Sequence, residues 1–335
     1  MKKVVPIVII EFNSYARTIK YIYDFLDSVI YEKVSFIIVD NGDSDNNYNS
    51  IKKEIKNKFE SKYELNILEN NDKRIKKAIK IIVKIKDIYI VDIVLIKAKE
   101  NYGFAIGNNI GVSIAEKIYK VDHIIFSNSD IRFNESFNLK KLIEKLKSDS
   151  QIALVGPKII GLDNEAQTPC EEKTIMERWN LLSIVWPLNR IFKIKFLNTS
   201  DDVIHINENY IPYRILGAFM LFDFKKFLEI NMFDENTFLY AEELIIAEKL
   251  KQLDYKTYYC NSQILIHEQG GTTKKVLNNI NKIKLRFNSE MYYYSRYKKV
   301  NNKIIFITKV LFNFYIFKLN IYHYFQNKFM KKINL

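Results

Sequence analysis

Acidic side chains follow two separate apolar runs of this sequence and open a third segment. Asp40 ends one run, Asp130 comes shortly after another, and Glu242 and Glu243 stand side by side where helical spacing begins. A carboxylate can accept a hydrogen bond, bind a divalent cation or take up a proton. These four residues are therefore the first candidates for chemistry.

The segment 40–45 is a candidate for recognition of a nucleobase. The carboxylate of Asp40 can accept the N3–H of a pyrimidine ring, and Asn41 and Asp43 lie within reach of the same ligand. The alternative is a structural turn, which Asn41-Gly42 favours by itself.

Asp130 is a candidate metal ligand. Its oxygens suit Mg²⁺ or Mn²⁺, and such an ion would bridge the phosphates of a diphosphate and stabilise the charge that develops when it leaves. Asn128 lies two residues earlier, on the same side of an extended chain. His267 follows another apolar run, at a place where an imidazole could reach a metal or a phosphate. The alternative is structural, since Asn and Asp end many strands and most isolated histidines only pack.

Glu242 and Glu243 are candidates for a general base that deprotonates an acceptor hydroxyl. The alternative is again structural, because carboxylates in the first turn of a helix stabilise it through the helix dipole.

The order of the apolar runs predicts an α/β sheet that holds these groups. Residues 4–10, 16–29 and 34–39 have the patterns of a strand, a helix and a second strand, which open a parallel sheet. Ligands gather at the carboxyl ends of such strands. Further strands are predicted at 88–96, 123–126, 152–160 and 213–222, and further helices at 112–120, 137–147, 224–228 and 241–253. The remainder of 50–99 offers no candidate chemistry, and 164–209 is predicted to be a substrate-facing insertion.

Composition limits the class of protein. The chain has 335 residues, of which 48% are hydrophobic, so a large core is expected and disorder is not. The net charge of +13 fits a solvated lysine surface, anionic lipid or a diphosphate, but the lysines are scattered and no nucleic-acid module is present. Two cysteines without metal spacing indicate a reducing cytoplasm, and residues 1–10 are too short for the core of a signal peptide.

The last segment, 302–331, predicts a helix with one narrow polar stripe. The stripe consists of Asn302, Lys309, Asn313, Asn320, His323, Asn327 and Lys331. Two interpretations remain open: a helix packed on the domain with a thin wet face, or an interfacial helix in a membrane surface. A transmembrane span is disfavoured, because Lys309 and Lys318 inside it would cost about 2.5 to 3.5 kcal/mol each.

Five motifs, taken in order, resemble glycosyltransferase family 2, of the bacterial rhamnosyltransferase-like branch with the GT-A fold. They are the segments 39–45, 101–111, 127–130, 217–220 and 233–243. The resemblance implies an α/β fold with a GT-A-type mixed, mostly parallel sheet flanked by helices and a C-terminal amphipathic helical extension. It implies a catalytic domain at 1–271, with a nucleotide-binding half at 1–135 and an acceptor-binding half at 136–271. The tail 272–335, which the resemblance matches only loosely, is predicted to be helical, and both interpretations given above, packing on the domain or association with a membrane, stay open for it.

The resemblance also implies roles for individual residues. Asp40 would hold the nucleobase, Asn109 would line the donor site, and Asp130 would bind the metal as the last residue of a D-x-D-like element. Glu243 is favoured over Glu242 as the base, although the family usually has Asp there and a misplacement of about 1 Å can cost about 100-fold in rate. The predicted donor-binding residues are Asp40, Asn41, Asn101, Gly103, Asn109, Asn128, Gly217 and Ala218, and the predicted metal ligands are Asp130 and His267.

The implied activity is inverting transfer of a sugar from a UDP- or dTDP-sugar, such as dTDP-rhamnose, with Mn²⁺ or Mg²⁺ as cofactor. The expected acceptor is a growing, lipid-linked bacterial surface polysaccharide of the capsule, O-antigen or cell-wall type. We expect a cytoplasmic protein held peripherally on the inner face of the cell membrane, with no nucleic-acid partner. The oligomeric state is open, with a homodimer as one option.

Two other classes of protein share part of this pattern. A nucleotide-sugar-binding protein of a polysaccharide assembly complex, impaired in catalysis, would explain why Asn128 and Glu243 replace aspartates of the family pattern. A sugar nucleotidyltransferase is disfavoured, because residues 11–15 lack the Gly-rich, basic loop that such enzymes carry after the first strand.

Overall fold

The computed structural model of the chain describes residues 1–28, 33–66, 72–85, 89–179, 203–268 and 279–333, without side-chain environments for 60–66, 85, 89, 279 and 322–333. These residues belong to two compact units. The first comprises the described parts of Met1–Glu171 and Val203–Val276, and the second those of Glu172–Asp202 and Leu277–Leu335.

A mixed β-sheet is the frame of the first unit. Its strands are β1 (Lys2–Glu11), β2 (Val34–Asp40), β3 (Glu60–Asn66), β4 (Ile75–Ile85), β5 (Tyr89–Ala98), β6 (Tyr119–Val121), β7 (His123–Ser127), β8 (Ile131–Arg132), β9 (Ile152–Gly161), β10 (Phe219–Asp223) and β11 (Lys256–His267). Their order is β3-β4-β5-β2-β1-β7-β10-β9-β11-β8, and β6 pairs with β1 beside this path. The neighbours β5, β2, β1 and β7 all pair in parallel.

Helices of the first unit cover both faces of this sheet. The described helices of the whole chain are, in order, α1 (Tyr15–Ser28), α2 (Asp45–Lys58), α3 (Gly103–Ile118), α4 (Leu139–Ser148), α5 (Ile175–Arg178), α6 (Phe224–Glu229), α7 (Glu242–Gln252), α8 (Asn279–Arg296) and α9 (Asn302–Ile333), of which α5, α8 and α9 belong to the second unit. Successive side chains of a strand point to opposite faces. Accordingly Ile7 joins a core cluster with residues of α1, α2 and α4, whereas Val8 joins a second cluster with residues of α3, α6 and α7.

The strand directions bring the polar ends of the strands to one edge of the sheet. Glu11 of β1 lies opposite Asp40 of β2, and Asp40 lies opposite Lys97 of β5. The amino end of β10 pairs with Ser127 at the carboxyl end of β7, and His267 at the end of β11 pairs with the first residue of β8. This edge is therefore where loops and side chains can meet a ligand.

The predicted α/β class, with a mixed sheet flanked by helices and a C-terminal helical extension, is confirmed. Several boundaries differ. Helix α3 begins at Gly103 rather than 112, and β10 begins only at Phe219, because Gly217 and Ala218 form a turn. The antiparallel strands β3 and β4 were not predicted, because β3 has few apolar residues and the apolar residues of β4 at 75, 78, 79 and 82 also fit helical spacing. The boundary at 271 lies outside the described residues, and the division into two halves stays a prediction.

The second unit is built around aromatic side chains and one buried ion pair. Phe287 of α8 stacks on Phe312 of α9 with ring centroids 3.6 Å apart, and Trp179 packs edge-on against both rings. Arg178 binds Glu290 at 2.9 Å, with both side chains almost completely buried. The predicted insertion 164–209 is thus divided between the two units. Residues 164–171 belong to the first unit, and residues 172–179 belong to the second unit together with the C-terminal helices.

Candidate active site

Asp40 is completely buried, and its carboxylate is fully engaged with the protein. Oδ1 accepts hydrogen bonds from the Gly42 amide and from Asn47 Nδ2, both at 2.9 Å, and Oδ2 lies 3.1 Å from Lys97 Nζ. Lys97 also donates to the Gly42 carbonyl. The pair fixes the loop after β2. Because Asp40 is 0% exposed, recognition of a nucleobase by its carboxylate would require the surrounding side chains to move.

Glu11 is a second buried carboxylate at this edge, which the sequence did not single out. It accepts hydrogen bonds from Ser14 and Thr18, and Asn47 Nδ2 lies between it and Asp40. Burial raises the pKa of Glu11 above its ordinary value against the hydrogen bonds from Thr18 and Ser14, and the Asp40 charge adds to the rise. Glu11 ties β1 to the start of α1 and supports the loop that carries Asp40.

Asn41 presents an unsatisfied acceptor to this edge. Its Nδ2 donates to the Gly103 carbonyl at 2.9 Å, whereas its buried Oδ1 has no hydrogen-bond partner among the described residues. Leaving a buried acceptor without a partner costs about 1–3 kcal/mol. A bound ligand that donates an N–H or O–H to this oxygen would recover that cost.

The amino end of α3 contacts the loop that precedes Glu242. Asn101 Oδ1 accepts from the Gly103 amide at 3.0 Å, and the Phe104 amide donates to the Phe238 carbonyl at 2.9 Å. Gly103 has a φ of +76°, and a Cβ on it would lie 2.1 Å from the Phe238 carbonyl oxygen. Only glycine fits this close approach between two backbones.

Replacing Gly103 with alanine is therefore expected to destabilise the protein by about 2 kcal/mol or more, because it combines a positive φ with a clash against a backbone atom. Urea unfolding monitored by circular dichroism measures the change. Ser113→Ala on the exposed side of the same helix is the matched control and should stay within about 0.5 kcal/mol of the parent chain. An unchanged midpoint for Gly103→Ala would contradict the close approach.

Asn109 clamps the turn at 233–235. Its Nδ2 donates to the Phe233 carbonyl at 3.0 Å and to Glu235 Oε1 at 3.1 Å, and its Oδ1 accepts from the Phe233 amide at 3.2 Å. Glu235 is also bound by Arg74 at 3.0 Å. These contacts give Asn109 a positioning role toward the turn; the donor-lining role expected for it stays a prediction.

Asp130 and His267 are in direct contact at the opposite part of the edge. His267 Nε2 lies 3.2 Å from Asp130 Oδ1, and His267 Nδ1 lies 2.8 Å from Gln167 Oε1. Burial acts to raise the pKa of Asp130, but the hydrogen bond and charge of His267, together with a backbone hydrogen bond and the charge of Arg17, hold that pKa below its ordinary value. Gln167 was not predicted, because it approaches from a loop 100 residues away in sequence.

The donor set of this pair fits a divalent metal. Both ring nitrogens of His267 face oxygen acceptors, and a protonated imidazole donates to both of them. A metal ion would replace the proton on Nε2, with Nδ1–H still donating to Gln167 and with Nε2 and Asp130 Oδ1 as the two ligands. The described residues contain no group of three or more Asp, Glu, His or Cys ligands, so phosphate oxygens and water would complete the shell, as is usual for Mg²⁺.

Two backbone contacts link the metal-ligand candidates to the glutamate pair. The Asn128 amide donates to the Ala218 carbonyl at 2.9 Å, and the Gly217 amide donates to Glu243 Oε1 at 3.0 Å. A Cβ at Gly217 would lie 2.9 Å from the same Oε1, so the absence of a side chain makes this contact possible. The segments 127–130, 217–218 and 242–243 are therefore adjacent.

The two glutamates have different environments. Glu242 is buried, and its Oε1 has no hydrogen-bond partner among the described residues; burial and the neighbouring Glu243 carboxylate raise the pKa of Glu242 to about 8. Glu243 is half-buried. Both follow Tyr240 and Ala241, which have φ values of 73° and 68°, a strained backbone often found at functional sites. The more accessible Glu243 is the better placed to take a proton from a substrate.

Comparisons with known proteins support the fold. No protein-family model matches the sequence, and no curated protein is significantly similar to it. The structure is similar to that of GalNAc-T7 with UDP, GalNAc and Mn²⁺, with a TM-score of 0.51 and 12% identity over 88% of this chain and 50% of the other. It is also similar to a mannosyltransferase, PcManGT from Pyrobaculum calidifontis, in complex with GDP-Man and Mn²⁺, with a TM-score of 0.53 and 9% identity over 90% of this chain and 66% of the other.

The chain has the GT-A fold. It spans half the length of the first of these chains and 66% of the second, and likeness at such low identity shows the fold alone. Within that fold the predicted site residues form two groups at one sheet edge. Asp40, Asn41, Asn101, Gly103 and Asn109 lie around the start of α3, and Asn128, Asp130, Gly217, Ala218, Glu242, Glu243 and His267 lie around the ends of β7 and β11.

Proposed function

We propose that the protein is a metal-dependent glycosyltransferase that uses a nucleotide-diphosphate sugar as donor. The observation that carries the proposal is that the pair Asp130–His267 and the pair Glu242–Glu243 lie on adjacent segments at the carboxyl edge of a GT-A sheet. The Asn128–Ala218 and Gly217–Glu243 hydrogen bonds connect these segments. Transfer of a sugar needs charge neutralisation at the leaving diphosphate and a base at the acceptor hydroxyl. Asp130 and His267 offer a site for the neutralising cation, and Glu242 and Glu243 offer the base.

The residues divide this work as follows. Glu243, held by the Gly217 amide, takes the proton of the acceptor hydroxyl as its oxygen bonds to the anomeric carbon and the bond to the diphosphate breaks. The raised pKa of Glu242 keeps its carboxyl group largely neutral beside Glu243. Asp130 and His267 would hold a divalent ion, which when bound supplies positive charge to the departing phosphates. One such in-line displacement inverts the anomeric configuration.

The donor and the acceptor are further parts of the proposal. The structural neighbours are described with UDP or GDP-Man and Mn²⁺, which supports a nucleotide-sugar donor here. The resemblance to glycosyltransferase family 2 favours a UDP- or dTDP-sugar, such as dTDP-rhamnose, and a lipid-linked surface polysaccharide of the capsule or O-antigen type as acceptor. Such an acceptor would place the enzyme on the cytoplasmic face of the cell membrane.

A nucleotide-sugar-binding protein without transfer activity is the second candidate. Asn128 and Glu243 stand where the family pattern has aspartates, and Asp40 is already engaged by Lys97. Turnover of any donor with metal would exclude it.

Calorimetric titration of the purified chain with UDP, dTDP and GDP, with Mn²⁺ and with EDTA, tests the donor site. We expect binding of one nucleotide that depends on Mn²⁺, and a loss of at least about tenfold in affinity in Asp130→Ala, because half of the protein's donor set for the ion is removed. Glu116→Ala, an exposed carboxylate on α3, is the matched control and should bind as the parent chain does. Absence of binding to all three nucleotides would refute the proposal.

A further inference from the structure

Helix α9 has two apolar faces, and only one of them is covered. Ile305, Phe312, Tyr315 and Ile316 are buried within the second unit, where Phe312 stacks on Phe287. Seven other apolar side chains of the same helix are exposed, from 41% for Ile304 and Ile321 to 67% for Phe306. Ile304 lies apart from the rest, and the other six are Phe306, Ile307, Val310, Phe314, Phe317 and Ile321.

The six exposed side chains from Phe306 to Ile321 form a single continuous surface, called here the α9 apolar face. With about 100° of rotation per residue, the six positions fall within an arc of about 100°, on the side of the helix opposite to the buried residues. Isolated exposed apolar residues are ordinary on protein surfaces, but a contiguous face of this kind marks an interaction site.

The charge around the α9 apolar face indicates what covers it. Lys309 and Lys318 lie beyond its two edges, and the Lys318 ammonium rests 4.9 Å from the centre of the Phe314 ring. Helix α9 carries six lysines and no aspartate or glutamate. An apolar face bordered by lysines fits a surface that is apolar inside and anionic outside.

We propose that the α9 apolar face docks on an anionic lipid surface, with the helix lying in the interface. Phe306 and Phe317 would enter the acyl region, and Lys309 and Lys318 would extend to the lipid head groups. A second copy of the chain fits less well, because a symmetric contact through this face would bring two lysine borders together without any acidic residue of α9 to oppose them. The part Asn302–Ile321 is also long and apolar enough to span a bilayer by composition, but the buried face of the helix is already packed against the protein. The inference does not depend on the proposed transferase activity.

Co-sedimentation with vesicles tests this docking. We expect the full chain to bind vesicles of phosphatidylcholine with phosphatidylglycerol, to bind phosphatidylcholine alone more weakly, and to be released by high salt. The double variant Phe306→Ser/Phe317→Ser should lose at least about tenfold in partitioning, because two large apolar side chains no longer enter the lipid. The matched control Asn302→Ser/Asn313→Ser changes exposed polar residues of the same helix and should partition as the parent chain does.

Several results would overturn the docking. The docking is wrong if the parent chain does not bind vesicles or if the phenylalanine variant binds them equally well. Retention on vesicles after alkaline carbonate extraction would indicate a membrane-spanning helix instead. A parent chain that does not bind vesicles but forms a dimer, which the phenylalanine substitutions dissociate, would indicate a second copy of the chain as the partner. If the phenylalanine variant fails to fold by circular dichroism, Lys309→Glu/Lys318→Glu replaces it and should lose binding to anionic vesicles. Nucleotide titration of the same preparations separates failure of lipid docking from failure of the proposed transferase function.

Discussion

Replacing Glu243 with glutamine is expected to lower the turnover number by about 10²- to 10⁴-fold while nucleotide binding remains, since loss of a general base has this magnitude. The amide oxygen of glutamine can still accept the hydrogen bond that the Gly217 amide donates at 3.0 Å, so the loop should keep its geometry. What is lost is the ability to take a proton. Steady-state kinetics with the donor identified by titration, together with nucleotide affinity, measures the two effects separately.

Glu242→Gln is the matched control for this prediction. Because burial and the neighbouring Glu243 raise the pKa of Glu242 to about 8, its carboxyl group is largely neutral near pH 7, and a neutral amide of the same size is a close replacement. We expect the turnover number of Glu242→Gln to stay within about tenfold of the parent value, because the group removed is already uncharged. If Glu242→Gln abolished turnover and Glu243→Gln did not, the roles assigned to the two glutamates would be reversed.

Replacing Lys97 with methionine is expected to destabilise the first unit by about 3–5 kcal/mol, which is the usual cost of removing one partner of a buried ion pair. Lys97 Nζ lies 3.1 Å from Asp40 Oδ2, and the two side chains are 4% and 0% exposed. Without the ammonium, Asp40 keeps only the Gly42 and Asn47 hydrogen bonds on Oδ1. Urea unfolding monitored by circular dichroism measures the change.

Two further variants test whether the loss of stability in Lys97→Met is caused by burial of the ion pair. Lys76 makes a contact of similar length, 3.0 Å, with Asp45, but both side chains are largely exposed, so Lys76→Met should cost at most about 1 kcal/mol. Adding Asp40→Asn to Lys97→Met should restore part of the lost stability, because the charge left without a partner is then removed. Equal small losses for the two lysines would contradict the buried pair.

The residues at the ends of strands were largely predictable from the sequence. Asp40 and Asp130 follow apolar runs whose short length and β-branched residues favour buried strands, and parallel strands bring their carboxyl ends to one edge. A signal for Lys97 was also present, because Asp92 and Lys97 interrupt an otherwise apolar strand. Such interruptions are informative, since a charge inside a buried strand needs a partner. The stretch 50–99, where the sequence offered no candidate, thus contains the cation that fixes Asp40.

Other features depend on contacts between segments that are far apart in the chain. Gln167 meets His267 across 100 residues, and the Phe238 carbonyl meets the Phe104 amide across more than a hundred. Neither contact has a local pattern, because each depends on how loops pack once the sheet has formed. Likewise the spacing of α9 indicated a thin polar stripe, but burial alone shows which of its apolar residues pack against α8 and which remain exposed.

By itself the sequence determined the α/β class and the positions of the candidate carboxylates at strand ends and at a helix start, because hydrophobic periodicity and strand-end chemistry are local properties of a chain. Only the tertiary structure decided how those carboxylates differ. Asp40 is paired with Lys97, Asp130 is in contact with His267, Glu242 is buried with a raised pKa, and Glu243 is tied to Gly217. Burial and partner choice set the proton affinity of an acid and its access to a ligand, and both arise from contacts that form only when distant segments come together.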